Sequence, residues 1–261
     1  MTTIQKTIVI TGSSKGFGNE LAKEFLNKGH NVVICSKTAE NIHNISVELK
    51  GYDNLLPLII DVQKYNDCQE LHYQTIKRFD SVDILINNAA TNLNVRQEFL
   101  FFNQNDVNTV VETNLIGLMY CHLVFLPYMV KRNSGIIINV EGSGSRRFDE
   151  TKGYSIYSST KAAVTSFTNT LQKEYKNTDV HFCTLSPGMM HTDLLWTKEP
   201  SLEMITVFTI FGEYPNIVAK VMVDEILTIK NDKHLEYLTW FKIVQKMIEY
   251  FLFKQRKKDN Y

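Results

Sequence analysis

Six short runs of apolar, mostly β-branched residues recur at 7–11, 31–35, 55–60, 82–87, 136–140 and 180–185, with longer amphipathic stretches between them. This alternation constrains the fold more than any other feature of the chain. The runs are apolar throughout instead of alternating with polar residues, so strands built from them must be covered on both faces. The stretches 18–27, 39–49, 65–78, 105–130 and 154–175 carry apolar residues at helical spacing and supply that cover.

Strand followed by helix, repeated, gives an α/β architecture, and right-handed crossovers make it a doubly wound parallel sheet, the Rossmann fold. No repeat or linker breaks the 261 residues, so one domain over 1–261 is expected. Periodicity is lost at about 189–215, and a long irregular segment of this kind reads as a substrate loop. A helical pattern returns at 216–230, and an amphipathic helix is expected at about 238–256.

Lysine plus arginine and aspartate plus glutamate number 28 each, which gives no ground for a nucleic-acid partner. Cys35, Cys68, Cys121 and Cys183 form no CxxC pair and read as reduced, buried thiols of a reducing compartment. The first strand begins so near Met1 that no signal or transit peptide is expected. No uncharged apolar run is expected to reach bilayer-spanning length. The cytoplasm is the expected compartment, and no metal site is expected.

After the first strand, Thr11-Gly12-Ser13-Ser14-Lys15-Gly16-Phe17-Gly18 opens a helix. Glycines here permit a tight turn and close backbone approach to a pyrophosphate, which sits on the N–H groups of the helix start. The candidate contacts are Gly12, Ser14, Lys15, Gly16, Phe17 and Gly18. Later in the chain stand Asp61-Val62, Asn87-Asn88-Ala89-Ala90, Asn114, Tyr157-Ser158-Ser159-Thr160-Lys161, and Pro187-Gly188 with Met190 and Thr192. The TGxxxGxG spacing and these segments, in this order, resemble the short-chain dehydrogenase/reductase family over nearly the whole chain. The resemblance implies an oxidoreductase binding a nicotinamide cofactor, with Asp61 and Val62 at the adenine. It also implies Asn88, Ala89, Pro187, Gly188, Met190 and Thr192 as cofactor contacts, and assembly as a homodimer or homotetramer.

An acidic residue ending the second strand would hydrogen-bond the ribose 2′-OH of NAD, whereas basic neighbours accommodate a 2′-phosphate. The chain has Cys35-Ser36-Lys37 there, and Lys15 is expected to face the same pocket. Ser36 and the two lysines suit a phosphate, so NADPH is expected over NADH.

Tyr157 and Lys161 lie four residues apart on a predicted helix and share one face. A free tyrosine has a pKa of about 10, and a neighbouring ammonium favours its phenolate. Tyr157 is then fit to act as general acid toward a carbonyl oxygen. The family resemblance gives Lys161 the nicotinamide ribose as well, and gives Asn114 a water in a proton relay. The family's serine lies three residues after the asparagine of the fifth strand. Asn139 puts that position at Gly142. Ser143 and Ser145 are the nearest hydroxyls, and Ser143 is the choice made here. Glu141 reads either as a surface carboxylate or as a contact to a polar group of the substrate.

The segments from Asn139 to Ser145 and from Leu185 to Leu195 resemble those of the chlorophyll b reductases, which carry N-M-D-G-x-G-S and S-P-G-M-x-x-T-D-L-L. That resemblance implies NADPH-dependent reduction of a formyl group on a bulky, apolar ring. Trp196, Phe208, Phe211 and Tyr214 either line a pocket for such a substrate or pack the loop onto the core. Trp240, Phe241, Val244, Met247, Ile248, Phe251 and Leu252 recur at helical spacing beside Lys242, Lys246 and the basic end. This helix either lies on a membrane surface or packs on the domain or a neighbouring subunit. An aldehyde or ketone reductase is the leading reading. A non-catalytic NADP(H)-binding sensor or scaffold is the alternative, because glycine stands where the serine is expected.

Overall fold

The computed structural model describes residues 4–146, 151–192, 194 and 202–258. Its strands are β1 (Thr7–Ile10), β2 (Asn31–Ser36), β3 (Leu55–Ile59), β4 (Ile84–Asn87), β5 (Gly135–Val140), β6 (Val180–Ser186) and β7 (His234–Glu236). They form one parallel sheet in the order β3-β2-β1-β4-β5-β6-β7. The helices are α1 (Gly16–Asn27), α2 (Ala39–Glu48), α3 (Tyr65–Phe79), α4 (Gln104–Val111), α5 (Gly117–Arg132), α6 (Ser155–Glu174), α7 (Leu202–Phe211), α8 (Pro215–Ile226) and α9 (Trp240–Lys258). The doubly wound sheet is therefore the one expected.

Side-chain alternation along each strand sends neighbours to opposite faces, and each face has its own core. Ile8 and Ile10 of β1 pack with Leu21 and Phe25 of α1 and with Val218 and Met222 of α8. Val9, between them, joins Cys121 and Phe125 of α5 and Leu171 of α6 on the other side. This two-sided burial is why the strands are apolar throughout. All four cysteines are buried and reduced.

Three expectations need correction. β7 adds a seventh strand beside β6, with Leu185 opposite Leu235; three residues are too short to show a strand period. The segment at 189–215 is not wholly irregular, because it contains α7. The α7 sequence LEMITVFTIF has almost no polar face, so the helical stripe that would mark it is absent. Finally, the continuous helix Gln104–Arg132 is long and apolar enough to cross a bilayer by length and composition. Here Cys121, Phe125, Leu126 and Met129 of that helix are buried against the sheet. At the other end of the chain, Trp240, Phe241, Ile248, Phe251 and Leu252 of α9 are exposed.

The strand order reverses direction at β1, which has β2 on one side and β4 on the other. The carboxyl ends of strands at such a switch point diverge and leave a crevice. All the loops discussed below leave the sheet at that edge.

Candidate active site

The crevice is a cleft of about 1280 Å³. Of the expected site residues, all but Gly18 and Asn114 line it.

One wall is the glycine-rich turn. Gly12 and Gly16 both have φ +59, in the left-handed region that glycine tolerates. A Cβ on Gly12 would come within 2.7 Å of Ala89 Cα. Lys15, at the N-cap of α1, supplies no side-chain cap, so the helix start presents its N–H groups to the cleft. The turn is held from two sides. Ser13 N–H donates to Cys35 O at 3.1 Å and its hydroxyl accepts from Cys35 N at 3.0 Å. Asn88 Nδ2 donates to Thr11 O at 3.0 Å and to Gly12 O at 2.9 Å, while Thr11 Oγ1 accepts from Asn88 N and Ala89 N. Gly18 lies behind this clamp: a Cβ there would stand 2.5 Å from Asn88 Nδ2. Its role is to admit the asparagine and not to line the cleft. Such a cradle, closed to a Cβ at Gly12 and Gly18 and open at a helix start, fits the pyrophosphate of a dinucleotide.

Ser36, Lys37 and Lys15 line the far end, and Asn41 in the first turn of α2 joins them, with Nδ2 3.4 Å from Ser36 Oγ. The sequence reading missed Asn41; its position one turn into the helix after β2 is the signal that would have found it. Asp61 and Val62 line the adjoining wall.

At the centre stand Tyr157 and Lys161 on α6, 5% and 3% exposed, with Lys161 Nζ 5.8 Å from the centroid of the Tyr157 ring. Nζ donates to Val140 O at 2.8 Å. Burial pushes the Lys161 ammonium down from 10.5 to about 8, against an opposing pull from the Glu141 carboxylate. The relation of α6 to the sheet is fixed by a buried brace: Asn87 Nδ2 donates to Asn139 Oδ1 and Asn139 Nδ2 donates to Thr168 Oγ1, each at 2.9 Å. Asn114 sits in a π turn, Glu112–Ile116, between α4 and α5, a break in helical register common at functional sites. Its Oδ1 accepts from Thr91 N at 2.7 Å, and its Nδ2 donates to Thr91 O at 2.9 Å and Thr160 Oγ1 at 3.1 Å. Thr160 lies between Tyr157 and Lys161, so Asn114 anchors that turn of α6 from behind the cleft.

Gly142 faces the tyrosine so closely that a Cβ there would collide with Tyr157 Oη. Ser143 Oγ lies 2.7 Å from Thr151 Oγ1. Ser145 Oγ accepts from Gly142 N at 3.1 Å and reaches Lys161 O at 3.4 Å. Both serines line the cleft. Glu141 is 4% exposed, so the surface-carboxylate reading is wrong; its carboxylate faces Thr165 and His234.

The substrate end is apolar. Val207, Phe208 and Phe211 of α7 line it with Leu238 and with Ile243 of α9. Tyr214 is exposed and stacks near His191 at 5.2 Å, so it is not part of that lining. Trp196 lies outside the described residues. The excursion is closed at its base, where His191 N donates to Glu213 O at 3.0 Å and Glu213 N to Met189 O at 2.9 Å. Sequence reading also missed Arg96, Thr113 and Tyr154 as lining residues; Arg96 comes from a loop, Thr113 from the π turn and Tyr154 from the N-cap of α6, and none belongs to a motif.

Residues 6–203 match the family described as short chain dehydrogenase. The chain belongs to that family of oxidoreductases. Among relatives of this short-chain dehydrogenase, the probable chlorophyll(ide) b reductase NYC1 of Arabidopsis thaliana is 31% identical over 98% of the chain. The chlorophyll(ide) b reductase NOL of Oryza sativa subsp. japonica is 31% identical over 96% of it. The chain spans 55% of the length of the first and 76% of the second. Among solved structures, a serine dehydrogenase complexed with NADP+ is similar, with a TM-score of 0.76 and 26% identity. That match covers 88% of this chain and 93% of the other.

The clamp on the glycine turn is testable by a double-mutant cycle. Asn88→Ala leaves two turn carbonyls without their partner and should cost about 1–3 kcal/mol of stability. Gly18→Ala displaces the same side chain, so the double variant should lose little more than the worse single variant. Urea unfolding of the four proteins measures this, and strictly additive losses would refute the clamp.

Proposed function

We propose that the chain is an NADPH-dependent reductase that converts an aldehyde or ketone of a bulky, apolar substrate to the alcohol. The observation that carries this reading is the buried Tyr157–Lys161 pair on one face of α6, open to a cleft whose other wall is a dinucleotide cradle. Tyr157 is the general acid, passing its phenolic proton from Oη to the carbonyl oxygen of the substrate. Lys161 favours the phenolate left behind and holds the nicotinamide ribose. When bound, NADPH supplies the hydride. Asn114 acts through Thr160 to set the turn that presents both residues, at the head of the proton relay. Ser143, paired with Thr151 at the cleft wall, supplies the hydroxyl that orients the carbonyl in place of the family serine.

NADPH is favoured because β2 ends in Ser36 without a carboxylate, and Lys15, Lys37 and Asn41 line the same end of the cleft. The NADP+ carried by the structurally similar serine dehydrogenase supports the same choice. For the substrate, the apolar lining from α7 and α9 and the likeness to chlorophyll(ide) b reductases support a formyl group on a bulky, apolar ring. A second reading, an NADP(H)-binding sensor without turnover, rests on Gly142 standing against Tyr157 with no hydroxyl of its own.

Turnover separates these two readings, and cofactor binding tests the choice of NADPH. Tyr157→Phe should abolish reduction of a bulky aromatic aldehyde while leaving NADPH affinity, followed by fluorescence, within about twofold; undiminished turnover would sink the mechanism. Lys37→Glu should weaken NADPH binding about tenfold or more and leave NADH binding nearly unchanged. Equal losses for both cofactors would remove the 2′-phosphate from this end of the cleft.

A further inference from the structure

Glu141 directly follows β5, and its backbone N–H donates to Leu185 O at 2.8 Å, fixing it at the sheet edge. Its side chain turns inward, and the residue is 4% exposed. Oε1 accepts from Thr165 Oγ1 at 3.2 Å. Oε2 accepts no hydrogen bond and lies 3.7 Å from Nδ1 of His234. His234 Nε2 contacts the guanidinium of Arg146. Nδ1 also lies 2.6 Å from Thr184 Oγ1. The charge of Arg146 is matched by Glu236 at 2.7 Å.

A buried carboxylate and a buried ammonium each cost several kcal/mol unless an opposite charge lies near, and Glu141 and Lys161 are both nearly inaccessible. Lys161 lies one helical turn before Thr165, whose hydroxyl reaches the Lys161 backbone carbonyl at 3.3 Å as well as Glu141, so the carboxylate rests on the turn of α6 that carries the lysine. Lys161 Nζ in turn donates to the carbonyl of Val140, the residue before Glu141. Tyr157 is the other ionisable group against the ammonium. We propose that the Glu141 carboxylate is the internal counter-charge of Lys161, a positioning residue that keeps the ammonium charged beside Tyr157. Its catalytic consequence rests on the reductase reading above; the pairing itself does not. Burial lowers the Lys161 ammonium, and the Glu141 carboxylate acts against that fall.

The test is a pH titration of the full-length protein carrying ¹³C at lysine Cε, with the Lys161 resonance assigned by its loss in Lys161→Met. Glu141→Gln should lower the Lys161 midpoint by about one pH unit or more, whereas Glu141→Asp should keep most of it. The alkaline limb of aldehyde reduction should move down with the midpoint in Glu141→Gln; a merely structural lesion would lower the whole profile in place. An unchanged midpoint in Glu141→Gln overturns the proposal. If that variant does not fold, Thr165→Val carries the test: it loosens the carboxylate without removing its charge, so a smaller fall is expected, and no fall overturns the pairing. A falling midpoint in a protein that never oxidises NADPH would leave the counter-charge standing and reject the reductase reading alone.

Discussion

Lys161 brings an ammonium into a place that is 3% exposed, and removing such a group from water costs several kcal/mol unless nearby dipoles and charges replace the solvent. Much of the local structure serves that replacement. β5 ends where the Val140 carbonyl can accept from Nζ. The loop that follows turns Glu141 inward, and α6 carries Tyr157 one turn before the lysine. The Asn87–Asn139–Thr168 brace and the Asn114–Thr160 bond hold α6 against the sheet from two directions. A perturbed ionisable group so elaborately supported, and sited in a cleft, is a mark of a functional site.

The second dependence is geometric. The glycine turn, the Asn88 clamp and the Tyr157–Lys161 pair come from loops and helices far apart in sequence. They meet because every strand is parallel and ends at the same edge. The switch point beside β1 opens the crevice, and α7 and α9 close its apolar end. The glycine turn, the Tyr157–Lys161 pair and the apolar wall are thus brought together by one sheet topology, and in such folds variation in surface segments can change specificity without disturbing the scaffold.

Much of this was legible in the sequence for physical reasons. Strands buried on both faces must be apolar throughout, so the inner strands β1, β2, β4, β5 and β6 announced themselves, while the edge strand β3 is only half-buried yet still an apolar run; Gly12, Gly16, Tyr157 and Lys161 carry signals tied to local spacing. What the sequence hid depends on long-range contact. β7 is a three-residue strand that exists only because β6 offers it an edge. α7 is apolar on nearly all sides and shows no period. Ser13 and Thr11 look like ordinary turn residues until Cys35 and Asn88 arrive from other strands. Glu141 read either as a surface charge or as a substrate contact, because charged residues usually are solvated and nothing local marks one as buried. Its burial depends on β7 and α6, which lie about 93 and 20 residues away along the chain, for His234 and Lys161 respectively.

The reaction proposed for this cleft is hydride transfer between a nicotinamide and a carbonyl carbon. The most direct measurement is isotope transfer. The purified protein is incubated with NADPH doubly deuterated at C4 and a bulky aromatic aldehyde, and the alcohol is analysed by mass spectrometry. The account predicts one deuterium on the carbinol carbon of each product molecule. Tight NADPH binding with no labelled alcohol from any of a panel of bulky aldehydes and ketones would contradict it.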